Sequence, residues 1–319
     1  MMAAEKTRTR QPTGGPRLYL DLPAGKSRRP GEQDLRLLRA TPKGEYMRKG
    51  TFVILRGYID ESYNGRIFLL SALVGLGTEW RWLDGDWKAC IDRRNAELQS
   101  RGRKPITRFH AAECNSLDGE YEGWSRGEQI EFMKALIKIL GRSELDSVAF
   151  ALDMDAFYKF FPDAGKLSEP DLLRELYGFM TKYLVYRLAP QYVAADPGLK
   201  IALVHDRCDY DGVMADAFRK AIEDKYFKEG SAYTSITPAS SVDIRPLQMA
   251  DLISHENFKE AKRKYKSGRS RMSKRRTSLK VMIKQGNFGG GIEYISVEAL
   301  RKLKWILSRN RDGQSGKEN

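Results

Sequence analysis

Four short, nearly unbroken apolar runs constrain this chain more than anything else in it. They are Thr51 to Glu61 (T-F-V-I-L-R-G-Y-I-D-E), Arg66 to Gly75 (R-I-F-L-L-S-A-L-V-G), Ser147 to Leu152 (S-V-A-F-A-L) and Lys200 to Val204 (K-I-A-L-V). Runs of this length, rich in β-branched and aromatic residues, read as buried strands. Ser62 to Gly65 separates the first two and reads as a turn, so those two form a hairpin. Helical spacing fills the intervals. Trp80 to Ser100 places Trp80, Leu83, Trp87, Cys90 and Ile91 on one stripe. Ser125 to Leu140 opens with Ser125 and Glu128 in capping-box spacing and stops at Gly141. Glu169 to Leu188 has Pro170 in its first turn and Pro190 past its end. Asp211 to Tyr226 and Leu247 to about Tyr265 complete the helices, Pro105 to Glu113 turns from loop into a short helix, and Ser235 to Val242 is an edge segment. Strands alternating with helices after an opening hairpin predict an α/β fold with a mixed β-sheet flanked by helices.

The chain of 319 residues is 41% hydrophobic, enough for one large domain or two small ones. No run nears the ~20 apolar residues of a membrane span, and no signal peptide opens the chain. Three cysteines without a C-x-x-C pair indicate neither a disulfide framework nor a zinc ribbon. The expected setting is cytoplasmic. The net charge of +14 is unevenly spread. Residues 1–50 carry 12 Lys/Arg against 5 Asp/Glu, and residues 259–284 carry 12 against 1. Residues 51–258 reverse the balance, 26 against 32. An acidic body between basic flanks suits an acidic metal-binding centre with separate surfaces for phosphate. Scattered Pro and Gly in residues 1–50 predict a disordered basic tail. Residues 51–266 form the domain, and 267–319 supply a basic linker, a C-terminal helix and a tail. Phe288 to Gly291 (F-G-G-G) reads as a flexible hinge and lacks the Lys-Ser/Thr of a phosphate loop.

Carboxylates follow, or lie close to, the ends of the predicted elements: Asp60/Glu61, Glu113 and Asp206. Asp251 instead sits inside the helix P-L-Q-M-A-D-L-I-S-H-E, among Leu247, Ala250, Leu252 and Ile253. An acid there is costly unless it is paired or binds a metal. Gln248 and His255 lie at i−3 and i+4 from Asp251, on about the same side. All three histidines stand beside these acids: His110 before Glu113, His205 next to Asp206, His255 after Asp251. Mg²⁺ and Mn²⁺ prefer carboxylate oxygens, and a two-metal centre needs three or four converging acids. Adjacent strand residues face opposite ways, so of Asp60 and Glu61 the reading takes Asp60 inward. Asp153-Met154-Asp155 with Glu61 offers a Toprim-like alternative, against Asp153 simply capping the next helix.

Four motifs carry a resemblance: Tyr58 to Ser62 (Y-I-D-E-S), Phe109 to Glu113 (F-H-A-A-E), Val204 to Asp206 (V-H-D) and Pro246 to Ile253 (P-L-Q-M-A-D-L-I). In this order they resemble the bacterial and phage family called domain of unknown function 3800, over roughly residues 51–266. Tyr63 stands where that family usually has Gly. The resemblance implies a ribonuclease H-like fold, whose members cut or rearrange nucleic acid with two metal ions. It implies Asp60, Glu113, Asp206 and Asp251 as ligands of Mg²⁺ or Mn²⁺, and a mobile-element or phage-defence setting. With His255 as a further catalytic group, the expectation is a metal-dependent nuclease on DNA or RNA. The competing expectation is a nucleic-acid- or partner-binding module with an idle metal site, and a third is a structural protein anchored by its basic flanks. Lys262, Arg263, Lys264, Arg269, Arg271, Lys274, Arg275 and Arg276 are the expected nucleic-acid-binding residues, weighed against a solvated linker, with Tyr265 available to stack on a base. A protein partner or a homodimer is left open.

Overall fold

The computed structural model describes residues 53–266, 277–284 and 289–301. The basic tail expected at 1–50 lies outside them, as do Arg269, Arg271, Lys274, Arg275 and Arg276. Strands β1 (Ile54–Tyr63) and β2 (Ile67–Leu76) pair antiparallel as the expected hairpin. The turn is tighter than the sequence suggested, because Ser62 and Tyr63 stay in the strand. Asn64 Oδ1 accepts from the backbone N–H groups of Arg66 (3.2 Å) and Ile67 (3.0 Å). Gly65 takes φ +76°, which a side chain would resist. Asp60 and Glu61 therefore lie within β1 rather than at its end, opposite Ser71 and Leu70.

β3 (Asp146–Asp153) continues the antiparallel meander beyond β2. β4 (Lys200–Asp206) adds on the other side of β1 in parallel, and β5 (Tyr233–Ala239) follows it in parallel. β6 (Gly289–Ile295) runs parallel to β3, giving the order β5-β4-β1-β2-β3-β6. Gly289 to Gly291, expected to be a hinge, belong to β6 and pair with Asp146 to Val148. Glycine contributes little strand preference of its own, so tertiary pairing decides the conformation here. Glu293 in the same strand accepts from Tyr183 Oη (2.7 Å) and pairs with Arg187 (2.8 Å).

In chain order the helices are α1 (Gly77–Ser100), α2 (Ala111–Ser116), α3 (Arg126–Gly141), α4 (Met154–Phe160), α5 (Glu169–Val193), α6 (Asp211–Ile222), α7 (Arg245–Lys266) and α8 (Thr277–Lys284). Strand alternation sends Leu55, Ile59, Phe150 and Leu203 to one face, under α4, α5 and α6. Tyr58, Leu73 and Val204 face the other way, under α1, α3 and α7. The α3 capping box is present: Ser125 Oγ accepts from Glu128 N–H, and the Glu128 carboxylate accepts from Ser125 N–H. Pro190, placed past the end of α5 by the sequence reading, lies inside it, and the helix continues to Val193. Leu188, Ala189 and Tyr192 are all buried, so packing holds that last turn despite the lost N–H. α6 stops at Ile222, short of the expected Tyr226. Among the described residues no helix is long and apolar enough to cross a membrane.

Candidate metal centre

One face of α7 fastens the centre together. Gln248 is fully buried, and its Oε1 accepts from Trp87 Nε1 of α1 and from Phe109 N–H, both at 3.1 Å. Its Nε2 donates to the Ser241 carbonyl at 2.7 Å. Almost one turn on, Asp251 Oδ2 accepts from Ala111 N–H at 2.7 Å. Another three residues on, the buried Ser254 hydroxyl bonds the Asp60 carboxyl and lies 3.3 Å from Ser62 Oγ. Residues three apart on a helix share a face, so one stripe grips the F-H-A-A-E backbone and the I-D-E-S strand together.

Asp206 is the last residue of β4, and its Oδ1 accepts from Arg207 N–H and Ser241 N–H, both at 3.0 Å. Ser241 Oγ in turn accepts from Arg108 Nη1 at 2.9 Å. The 241 loop thus ties Asp206, Arg108 and Gln248 to one point.

Asp60, Asp206 and Asp251, from β1, β4 and α7, are brought close enough to feel one another's charge. Burial pushes the Asp60 carboxyl well above the usual range, and the charges of Asp251, Glu61 and Asp206 push it further, against the Ser254 hydrogen bond. Burial likewise lifts Asp251, to about 6. The Ala111 bond, His110 and Arg108 pull it down, while Asp206 pushes it up. Each of the three keeps part of its surface exposed, so the cluster is open to a ligand from solvent.

Glu61 joins them, although the sequence reading set it aside. It does point to the opposite face from Asp60, where Tyr177 Oη of α5 donates to its Oε1 at 2.6 Å. Burial raises its pKa, the Tyr177 bond opposes this, and Asp206 and Asp251 raise it again. The acid pair was visible in I-D-E-S. What alternation could not reveal is that Asp206, at the end of the neighbouring strand, stands within range of both faces.

Glu113 lies in α2 and turns to His110, with Oε1 2.9 Å from Nδ1. It is not among the leading charges on Asp60 or Asp251, whereas His110 is one of those on Asp251. The ion-pair contact of Glu113 is thus with His110, which in turn acts on Asp251. His255 lies one turn beyond Asp251 and is half-buried. His205 is buried on the α5 face, its Nδ1 2.9 Å from the Asp206 carbonyl oxygen, and burial holds its pKa below the ordinary histidine value. Asp153 caps α4, its Oδ1 accepting from Asp155 N–H (2.9 Å) and Ala156 N–H (3.4 Å).

The basic residues of α7 have neighbours within the chain. Arg263 pairs with the buried Glu260 at 2.8 Å, Lys262 lies over the Phe258 ring at 5.4 Å, and Lys264 lies over Tyr294 at 5.0 Å. Tyr265, expected to be available for base stacking, has the Arg66 guanidinium over its ring at 5.4 Å.

Carboxylates within range of one another's charge are costly alone. Among the described residues, the one group of three donor atoms lying within 4.8 Å of one another is His205, Cys208 and Asp211, so the aspartates feel one another's charge without closing to ligand spacing. The chain matches no model of a known protein family and no curated protein.

Proposed function

We propose that this chain is a metal-dependent nuclease that hydrolyses phosphodiester bonds of DNA or RNA. The observation that carries the proposal is that Asp60, Asp206 and Asp251, from three separate elements, lie within range of one another's charge: Asp60 is raised by burial and by Asp251, Glu61 and Asp206, and Asp251 by burial and by Asp206. Two further observations support it. A mixed sheet of three antiparallel strands with two more added in parallel beside β1, flanked by helices, suits the ribonuclease H-like fold that the resemblance implies. All four motifs that resemble the domain of unknown function 3800 family lie around this one cluster.

Asp60, Asp206 and Asp251 would hold Mg²⁺ or Mn²⁺, with Glu61 reaching the same ions from the α5 face. Bound there, such ions supply Lewis-acid charge and a lowered pKa for coordinated water. Ser254 and Ala111 hold the carboxylates of Asp60 and Asp251, and Ser241 holds that of Asp206, so the ligands are oriented before any ion arrives. Arg108, beside Asp251, is placed to meet a phosphate oxygen, and its hydrogen bond to Ser241 fixes it there. His255 would orient the attacking water or the scissile phosphate, and Glu113 would hold the His110 ring in place.

Incubation with labelled single- and double-stranded DNA, RNA and hybrid strands in Mg²⁺ or Mn²⁺ tests this directly. Cleavage that requires the metal and is lost in Asp251→Asn supports the proposal. A metal-induced rise in melting temperature without cleavage of any strand would identify the chain as an idle binding module.

A further inference from the structure

A second, chemically different cluster stands on the other side of β4. Past the end of the strand the sequence reads His205-x-x-Cys208-x-x-Asp211. A ring nitrogen of His205, the Cys208 sulfur and a carboxylate oxygen of Asp211 lie within 4.8 Å of one another. Donors around a tetrahedral zinc ion stand roughly 3.3–3.8 Å apart, given bond lengths of about 2.0–2.3 Å. The three therefore need to close by no more than about 1.5 Å around such an ion.

We infer that His205, Cys208 and Asp211 form a binding site for one thiophilic cation of the zinc class, separate from the carboxylate centre. An independent observation points the same way. His205 is 2% exposed, and its Nε2 is buried with no hydrogen-bond partner among the described residues. Its Nδ1 lies 2.9 Å from the Asp206 carbonyl oxygen and 3.6 Å from Asp211 Oδ1, which also accepts from Cys208 N–H at 2.9 Å; with Nδ1–H donating to the carbonyl, Nε2 carries a bare lone pair. A buried acceptor left so costs about 1–3 kcal/mol, and a metal bond removes that cost. Orientation of the imidazole by a backbone carbonyl is the usual support for a metal-ligating histidine.

Cys208 and Asp211 are only partly buried, which leaves a side open for entry and for a water as fourth ligand. The thiol decides the metal: Mg²⁺ and Mn²⁺ favour all-oxygen sites, whereas sulfur with imidazole suits zinc. The ion would clamp the end of β4 to the first turn of α6 and so steady Asp206, the residue between the two clusters. None of its ligands is an acid of the proposed nuclease centre, so the inference does not rest on that reading.

Cobalt(II) gives a readout separate from activity, because a cobalt–thiolate bond produces a near-ultraviolet charge-transfer band. The full chain, stripped of metal and supplied with excess Mg²⁺, is titrated with Co²⁺ and then with Zn²⁺ against a chromogenic chelator. The expected result is one equivalent bound, with a thiolate band that Zn²⁺ bleaches. Cys208→Ser should abolish the band. Asp211→Asn should weaken zinc binding by more than the roughly 10–100-fold that follows loss of a mere outer-shell partner. Asp60→Asn and Cys114→Ser should leave the band intact. Circular dichroism of each variant confirms that it is folded. No thiolate band in the wild-type protein, or a band that persists in Cys208→Ser, would overturn the inference.

Discussion

Replacing Asp251 with Asn should make the metal-free protein more stable, not less. Asp251 titrates at about 6 in the folded chain, against an ordinary value of 3.8. At about 1.4 kcal/mol for each tenfold change, holding it ionised at neutral pH costs the fold about 3 kcal/mol. The sign follows from proton binding. Between pH 3.8 and about 6 the folded state binds the proton and the unfolded state does not, so stability falls as pH rises through that window. Above it the full cost is present. Asn keeps an oxygen that can accept from Ala111 N–H, so the change removes the charge and preserves the 2.7 Å contact. A gain of about 2–3 kcal/mol corresponds to a rise of roughly 4–12 °C in melting temperature for a body of this size. The assay is thermal unfolding in chelator at pH 7.5 and again at pH 4, where the difference should shrink. Adding Mg²⁺ at about 100 times its Kd should lift the wild-type protein by about 2.7 kcal/mol and leave Asp251→Asn almost unmoved. A variant that melts below the wild-type protein in chelator at pH 7.5 would refute the claim that crowded, buried charge dominates this position.

Tyr177→Phe removes the hydroxyl that donates to Glu61 at 2.6 Å; unfolding in urea should show a loss of about 1–3 kcal/mol, diminished when Glu61→Gln is added. Ser125→Ala breaks the α3 capping box and should cost about 1 kcal/mol in the same assay, without altering metal response. At Gly57 a Cβ would lie 2.7 Å from Leu203 Cδ2, so Gly57→Ala should push β1 from β4 and lower stability by about 1–3 kcal/mol. If it also weakens Mg²⁺ binding in calorimetry, the spacing between Asp60 and Asp206 sets the affinity; unchanged binding would show that the acids adapt.

The fold was legible wherever local pattern and final environment agree. The four apolar runs, the capping box at Ser125 and the helix around Asp251 all carry their own signal, and the structure has each element. β6 carries none: three glycines say nothing about strand until β3 lies alongside them. Pro190 misled for the complementary reason, since a rule about isolated helices lost to burial of the turn that follows it. At the centre, Asp60, Asp206 and Asp251 could be picked out as acids next to apolar runs. Their mutual approach depends on Gln248, Ser241 and Ser254, whose partners Phe109 N–H, the Asp206 carboxylate and the Ser62 hydroxyl lie far off in the sequence and leave no local signature. The same holds on the α5 face. Cys208 lacked a C-x-x-C partner and drew no attention, because its neighbours His205 and Asp211 meet it only once β4 ends and α6 begins.

The contact between Ser62 and Ser254 has a consequence for the chain as it is made, since 192 residues separate the two. At about 5–20 residues per second a ribosome needs roughly 10–40 s to add that length. Throughout that interval Asp60 has neither Asp251 nor Ser254 beside it, and that share of its crowding arrives only when α7 docks. A nascent or truncated chain lacking that helix carries every acid of β1 and β4 yet lacks Asp251, so the acid cluster is complete only after about four-fifths of the chain has been made.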